Sequence, residues 1–139
     1  MTIAKVTLGS ADFEMKARIR NHILILDEPL DNGGQNKGPA PTECVCMALA
    51  SCTVATLKMY MNRKQWKPDS LSVEVVLEKS PEGKNTFKRS IHITGSFNDE
   101  QKDRLLHIAN ACPVHKILSQ GNVVETTVSN PPHPPRDNS

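Results

Sequence analysis

Aromatic side chains are scarce in this chain: its 139 residues include one Trp, one Tyr and three Phe, which together make up 4% of the sequence. Proteins that bind single-stranded nucleic acids stack bases on exposed aromatic rings, so the composition argues against that class of protein. The 17 basic residues are scattered among 15 acidic residues and leave a formal charge of +2. No basic patch is evident, and we expect no nucleic-acid partner.

Long apolar runs are also missing. The longest stretch without a charged residue is 44–57, which is 14 residues long (57 − 44 + 1), whereas a membrane-spanning helix needs about 18 or more. The stretch therefore predicts a buried helix and no membrane contact. The first residues lack the apolar segment of a secretory signal, so a cytoplasmic location is expected. In that reducing compartment the four Cys are expected to be free, catalytic or metal-bound.

The hydrophobic content of 37% is sufficient for one core, and the sequence pattern predicts a single α+β domain over residues 1–129. Period-two alternation indicates strands, Gly and Pro indicate loops, and helical periodicity with capping residues indicates helices. The expected order is a hairpin (13–19 and 22–26), a loop (28–41), a helix (41–63), two strands (71–78 and 91–97), helices at 99–110 and 113–118, and a strand (123–128). The Pro-rich segment 130–139 is expected to be disordered.

The predicted helix 41–63 is apolar or small on every face of its middle part. Pro41 suits its first turn, Glu43 complements the positive end of the helix dipole, and Arg63 complements the other end. A helix without a polar face must be surrounded on all sides. Either its own sheet or a partner subunit is expected to cover it.

Cys112 directly precedes Pro113, and a proline at the first helical position would make Cys112 the helix cap. A thiol at a cap faces free N–H groups and the positive end of the dipole, which favours the thiolate. His115 would lie one turn further on and could add a charge or a hydrogen bond when protonated. The alternative is that Cys112 is only a small cap residue and His115 a surface residue.

Cys52 lies in the middle of the apolar helix, where a Cys taken alone fills the core. If Cys52 and Cys112 meet in the fold, they can form a peroxidatic and resolving pair. Cys44 and Cys46 lie on nearly opposite sides of the same helix and are interpreted as core or interface residues. Because this spacing does not suit zinc, neither a metal nor another cofactor is expected.

Glu43 is nine residues before Cys52. It either only complements the helix dipole or also orients an arginine near the thiol. Arg18 and Arg20 on the first hairpin are the candidates, because a guanidinium stabilises a thiolate and can hydrogen-bond a peroxide. Surface solvation is the alternative for each arginine.

Five segments together resemble the OsmC/Ohr family: Asp27-Glu28-Pro29, Gly33-Gly34, Gly38 to Glu43, Ala48 to Thr53, and Ala111 to His115. The resemblance covers nearly the whole chain apart from its Pro-rich end. In the best-known hydroperoxide-resistance branch, the helix carries its carboxylate ten residues before the peroxidatic Cys. Here Thr42 has that place and Glu43 follows it, so the chain is more similar to the less characterised OsmC-like branch.

The resemblance implies an α+β fold in an intertwined homodimer, with the cysteine-bearing helices between curved sheets. It also implies reduction of small organic hydroperoxides, with Cys52 peroxidatic and Cys112 resolving. In this scheme Glu43 is the orienting carboxylate, and Arg18 is the arginine carried over. An external dithiol, such as a lipoylated protein, would reduce the resulting disulfide. The cap position by itself had favoured Cys112 as the attacking thiol.

Two other functions are compatible with the sequence. The chain could be a non-catalytic domain that holds a small apolar ligand, with Met47, Met59 and Met61 as a buried, adaptable lining. It could also be a redox sensor that is oxidised once and does not turn over. Core packing is the simpler explanation for the three methionines.

Overall fold

Two antiparallel sheets and three α-helices make up the part of the chain that the structure describes, residues 2–130. The structure is a computed structural model. The elements are β1 (Lys5–Leu8), β2 (Met15–Ile19), β3 (His22–Leu26), α1 (Pro41–Lys64), β4 (Ser70–Lys79), β5 (Asn85–Thr94), α2 (Asp99–Ala109) and α3 (Pro113–Leu118). The predicted α+β class is therefore confirmed.

The N-terminal sheet has the strand order β1-β2-β3, with Met15 opposite Leu26 in the β2–β3 hairpin. The predicted hairpin turn is present, and Arg20 adopts a left-handed conformation there (φ 51°). Strand β1 was not predicted, because its four residues are too short to give a clear alternation. The strand predicted from residue 13 begins two residues later, at Met15.

Asp27 organises the loop between β3 and α1. Its buried carboxylate accepts the backbone N–H groups of Glu28 at 2.8 Å, Gln35 at 3.2 Å and Lys37 at 3.2 Å. Burial raises the pKa of Asp27, but the three N–H groups and the Lys37 charge outweigh it and hold the pKa below its ordinary value. A single side chain thus accepts three backbone N–H groups of this loop, which also contains a short 3₁₀ helix, Leu30–Asn32.

Helix α1 has 24 residues and ends one residue later than predicted. Pro41 occupies its first turn, and Gln65 ends it in a left-handed conformation (φ 59°). The helix packs against β4, α2 and α3. By length and composition alone it could also cross a membrane, a property that it shares with the core helices of soluble proteins.

The hydrophobic core forms where α1 meets α2. Leu57, Tyr60 and Met61 of α1 pack with Leu105 and Ala109 of α2. Partly buried side chains from the β4–β5 sheet, the segments beside it and α2 complete the cluster, namely Trp66, Leu71, Ile91, Ile93, Phe97 and Ile108. The core therefore fixes α1 and α2 against one face of the β4–β5 hairpin.

The other faces of α1 remain open in the single chain. Met47 is 50% exposed and Met59 is 65% exposed, whereas Met61 is fully buried. The expectation that all three methionines are buried is thus wrong for Met47 and Met59 in one protomer. The chain's own sheets do not cover every side of this helix.

Strand β5 differs from its prediction, since it begins at Asn85 and ends at Thr94. Val73 of β4 lies opposite Ile91. The turn between the two strands is formed by residues 80–84, which include Pro81 and Gly83. Phe97 lies beyond the strand, because the chain turns at Gly95 (φ 132°), where a Cβ atom would lie 3.2 Å from the Asp69 nitrogen. The alternation of apolar residues continues past the end of the strand, and the prediction that Phe97 belongs to the strand is therefore wrong.

Helix α2 begins as predicted, with Asn98 and Gln101 in a reciprocal capping box. Gln101 N–H donates to Asn98 Oδ1 at 2.8 Å, and Asn98 N–H donates to Gln101 Oε1 at 3.0 Å.

The predicted strand 123–128 is wrong for the single chain, since residues 121–130 have no regular structure. Val124 is 86% exposed. A strand needs a neighbouring strand, and the described part of the protomer offers this segment none. The predicted disordered tail, apart from Asn130, lies outside the described residues.

Candidate functional site

The thiols of Cys52 and Cys112 lie close enough to shift each other's pKa, although the two residues are 60 positions apart (112 − 52). Cys52 lies in the middle of α1, and Cys112 is the N-cap residue of α3, which packs against α1. Cys112 is fully buried, whereas Cys52 is partly exposed. The fold therefore brings together the two cysteines that the sequence singled out, within one protomer.

Local sequence explains how Cys112 reaches this place. Pro113 begins α3, and Cys112 is its N-cap residue (φ −56°, ψ 127°). The Cys112 side chain makes no capping hydrogen bond, but the Val114 and His115 N–H groups are near enough to lower the pKa of the thiol. These N–H groups have no partner within the helix. The predicted cap position of Cys112 is thus present.

The electrostatics of the two thiols differ. Burial raises the pKa of Cys112, but hydrogen bonds from the Cys52 thiol, the His115 and Val114 N–H groups and the Thr53 hydroxyl bring the pKa below its ordinary value. Burial, the hydrogen bond to Cys112 and the Cys112 charge raise the pKa of Cys52, against the Val114 N–H and the Thr56 hydroxyl. Cys112 is therefore the more acidic thiol of the pair.

Arg89 is part of the surroundings of the site, and sequence analysis missed it. This β5 residue donates from Nη1 to Thr53 Oγ1 at 3.1 Å and to the Ala109 carbonyl at 3.3 Å, and from Nη2 to Asn110 Oδ1 at 3.0 Å. A signal was present, because Arg89 interrupts the inward-facing apolar series of Phe87, Ile91 and Ile93. A charged residue at such a position needs partners in the interior.

Glu43 does not reach the thiols in one protomer. Its carboxylate accepts the Ala40 N–H at 2.8 Å, which is one half of a capping box. Nine residues of α-helix separate Glu43 from Cys52 by about 14 Å. Within the chain, Glu43 therefore acts on the start of α1.

Arg18 and Arg20 are exposed on the N-terminal sheet. Arg18 lies in the middle strand, opposite Lys5 and Ile23, and Arg20 lies in the hairpin turn. Neither arginine is among the main groups that shift the pKa of Cys52 or Cys112. The single protomer thus brings neither of them to the thiol pair.

Cys44 and Cys46 are partly buried near the start of α1 and are not among the groups that shift the pKa of either site thiol. Their positions agree with the interpretation as packing or interface residues.

A cavity of about 770 Å³ lies between β5, α2 and α3. Its lining is mainly apolar and includes Ile91, Leu105 and Leu118 together with the polar side chains of Arg89 and His115. Leu49 also lines it, and the Leu49 carbonyl accepts the Thr53 hydroxyl. The cavity therefore adjoins the thiol pair through Leu49 and Arg89, although neither thiol lines it.

Comparisons with known proteins agree with this fold. The OsmC-like protein family model matches residues 34–127, which is more than half of the chain. No curated protein matches the sequence significantly. The chain belongs to the OsmC-like protein family, so the resemblance seen in the sequence is confirmed.

Solved structures share the fold. A protein from Psychrobacter arcticus 273-4, named for osmotic stress induction and a detoxification response, is 24% identical with a TM-score of 0.73, over 84% of this chain and 88% of that one. An OsmC-like protein from Mycoplasma pneumoniae is 23% identical, with a TM-score of 0.67 over 86% and 87%. The organic hydroperoxide resistance protein OsmC from Legionella pneumophila is 22% identical, with a TM-score of 0.62 over 85% and 88%. At these identities the likeness establishes the fold.

Proposed function

We propose that this protein is a thiol-dependent peroxidase that reduces small organic hydroperoxides, with Cys52 as the peroxidatic and Cys112 as the resolving residue. The proximity of the two thiols, which shift each other's pKa, carries the proposal. Two neighbouring thiols are the minimum that a two-cysteine peroxidase needs. The name of the Legionella protein as an organic hydroperoxide resistance protein supports the choice of substrate class.

Accessibility supports Cys52 as the attacking thiol. A peroxide must touch the sulfur that it oxidises, and Cys52 is partly exposed whereas Cys112 is fully buried. Cys112 is the more acidic thiol, so attack by Cys52 requires that the proton of Cys52 pass to a Cys112 thiolate nearby. This transfer leaves a Cys52 thiolate and a neutral Cys112.

In the first chemical step, the Cys52 thiolate attacks one peroxide oxygen and the O–O bond breaks. The organic alkoxide leaves and takes up a proton to become an alcohol. Cys52 is then a sulfenic acid, oxidised by two electrons. The Cys112 thiol condenses with it to a disulfide and releases water. An external dithiol, such as a lipoylated protein, returns two electrons and two protons and is itself oxidised to a disulfide.

A homodimer is part of the proposal. The exposed methionines of α1 and the unpaired segment 121–130 are the surfaces that a second copy would cover. In such a dimer Arg18 or Arg20 of one copy could approach the thiols of the other, with Glu43 orienting it. We further propose a soluble cytoplasmic protein in which α1 is the central core helix of the assembly.

The cavity of about 770 Å³ favours a second candidate function, which is binding of a small apolar ligand without catalysis. In that case the cysteines would be packing residues. A redox sensor would use the same thiols but would stop after one oxidation. Turnover separates both alternatives from a peroxidase.

The test is consumption of an organic hydroperoxide, with dihydrolipoamide as reductant, by the parent and by three Cys→Ser variants. Cys52→Ser is expected to abolish consumption, because the remaining thiol of the pair, Cys112, is buried. Cys112→Ser is expected to leave a sulfenic acid on Cys52 that a dimedone probe traps. Cys44→Ser on the same helix is the matched control and should consume peroxide like the parent.

Unchanged consumption in Cys52→Ser would refute the peroxidase proposal. A single equivalent of peroxide consumed by the parent, with no turnover, would support the sensor. No disulfide after peroxide treatment, together with saturable binding of an apolar fluorescent probe, would support the ligand-binding domain.

A further inference from the structure

Arg89 links the two segments that carry the site thiols. Its guanidinium bonds to Thr53, the residue next to Cys52 on α1. It also bonds to Ala109 and Asn110, which end α2 and lead directly into Cys112. None of these three hydrogen bonds goes to a sulfur atom, so any influence of Arg89 on the thiols passes through its partners.

The first partner is the hydroxyl of Thr53, which is fully buried. Its oxygen accepts Arg89 Nη1–H, so its own proton must point elsewhere. It donates to the Leu49 carbonyl at 2.7 Å. The hydroxyl also lies near enough to the Cys112 thiol to lower its pKa, so the bond from Arg89 fixes a polar group beside that thiol.

The second partner is the carbonyl of Ala109. This oxygen accepts both Arg89 Nη1–H at 3.3 Å and the backbone N–H of Cys112 at 3.3 Å. The last carbonyls of a helix lack partners within the helix, and a cation there is favourable. Together with the bond to the Asn110 side chain, these contacts hold the turn from which the Cys112 side chain projects.

We propose that Arg89 is a positioning residue that holds the Thr53 hydroxyl beside the Cys112 thiol and holds the α2–α3 turn against α1. It thereby keeps the Cys112 thiolate solvated by protein donors and within reach of Cys52. Its part in disulfide formation rests on the proposed function. Its effect on the Cys112 thiolate does not, because that effect needs no peroxide.

The experiment is a pH titration of the Cys112 thiolate, followed by ultraviolet absorbance. The background is Cys52→Ser, which keeps a hydroxyl donor beside Cys112, and subtraction of the Cys52→Ser/Cys112→Ser double variant removes Cys44 and Cys46. The ionisable side chains that line the adjoining cavity are Lys84, Arg89, Lys102, Asp103 and His115, and of these only Arg89 is changed. Arg89→Met, Thr53→Val and both together are compared in this background.

Arg89→Met is expected to leave about tenfold less Cys112 thiolate at a given pH below the midpoint, a rise of about one unit in its pKa. Thr53→Val is expected to shift the titration in the same direction, and the two changes together should shift it by less than the sum of the single shifts. Lys88→Met is the matched control. This residue is the neighbour of Arg89 on the opposite face of β5, where it pairs with Glu78 at 2.8 Å, and its loss should leave the titration unchanged.

Two outcomes would overturn the proposal: Arg89→Met titrates like Lys88→Met, or the shifts of Arg89→Met and Thr53→Val add fully. Should Arg89→Met fail to fold by circular dichroism, Thr53→Val decides alone, and a titration like that of the parent refutes the role. If the shift is seen in the Cys52→Ser background but the parent with both cysteines consumes no peroxide, only the proposed function is refuted. If the parent consumes peroxide and the shift is absent, only the role of Arg89 is refuted.

Discussion

Replacement of Leu57 by Ala tests the packing that supports the thiol site. Leu57 is 0% exposed and lies at the centre of the contact between α1 and α2. The change removes three carbons, and at about 0.8 kcal/mol for each the lost burial is about 2.4 kcal/mol. A cavity that does not collapse adds to this, so we expect the free energy of unfolding to fall by about 2–5 kcal/mol.

The assay is urea unfolding followed by circular dichroism, at one protein concentration because unfolding of a dimer depends on it. Leu30→Ala is the matched control, since Leu30 is 73% exposed and its truncation should change stability by less than about 0.5 kcal/mol. Equal losses in the two variants would refute the core described here. In the Cys52→Ser background and below the unfolding transition, Leu57→Ala should leave the Cys112 titration unchanged. This result would separate general destabilisation from the role of Arg89.

Two further predictions concern the loop and the assembly. The pKa of Asp27 is lowered in the folded chain, so its stabilising contribution is present above the ordinary value of about 4 and is lost as pH falls through the folded value. Asp27→Asn should therefore unfold at lower urea than the parent at neutral pH, and the difference should shrink in acid; exposed Asp12→Asn should show no such gap. Met59→Glu places a charge on the open side of α1 and should convert the proposed dimer to a monomer in light scattering after gel filtration. A parent that is already monomeric would contradict the dimer.

Local signals explain why α1 was predicted to within one residue. Pro41 marks its first turn, the residues that follow have helical composition, and the basic residues at its end lie where the dipole favours them. The capping box of Asn98 and Gln101 is equally local. Such features depend on neighbours within four residues, which a single sequence displays.

The errors concern contacts between distant segments. Residues 123–128 alternate like a strand, but whether they pair depends on a partner that the alternation does not identify. Met47 and Met59 are apolar in a helix, yet which side of the helix is covered depends on what packs there. In the same way, Cys52 and Cys112 could be ranked as candidates from the sequence, but their contact required the fold.

Arg89 was missed for a related reason. A lone arginine in a strand is ordinary at an edge or on a solvent face, and the predicted start of β5 at residue 91 left Arg89 outside the strand. With the strand beginning at Asn85, the period of two places Arg89 among inward-facing side chains. The boundary error therefore concealed the one charged residue of that face.

The mutual influence of the Cys52 and Cys112 thiols has a consequence for any pH–rate profile of this protein. Two acids that shift each other's pKa release their protons in two macroscopic steps, and each step belongs to the pair. The lower limb of such a profile would report formation of a singly charged dithiol, whichever sulfur holds the charge. When one cysteine is replaced, the pKa of the remaining thiol is that of a single group and differs from both macroscopic pKa values of the pair.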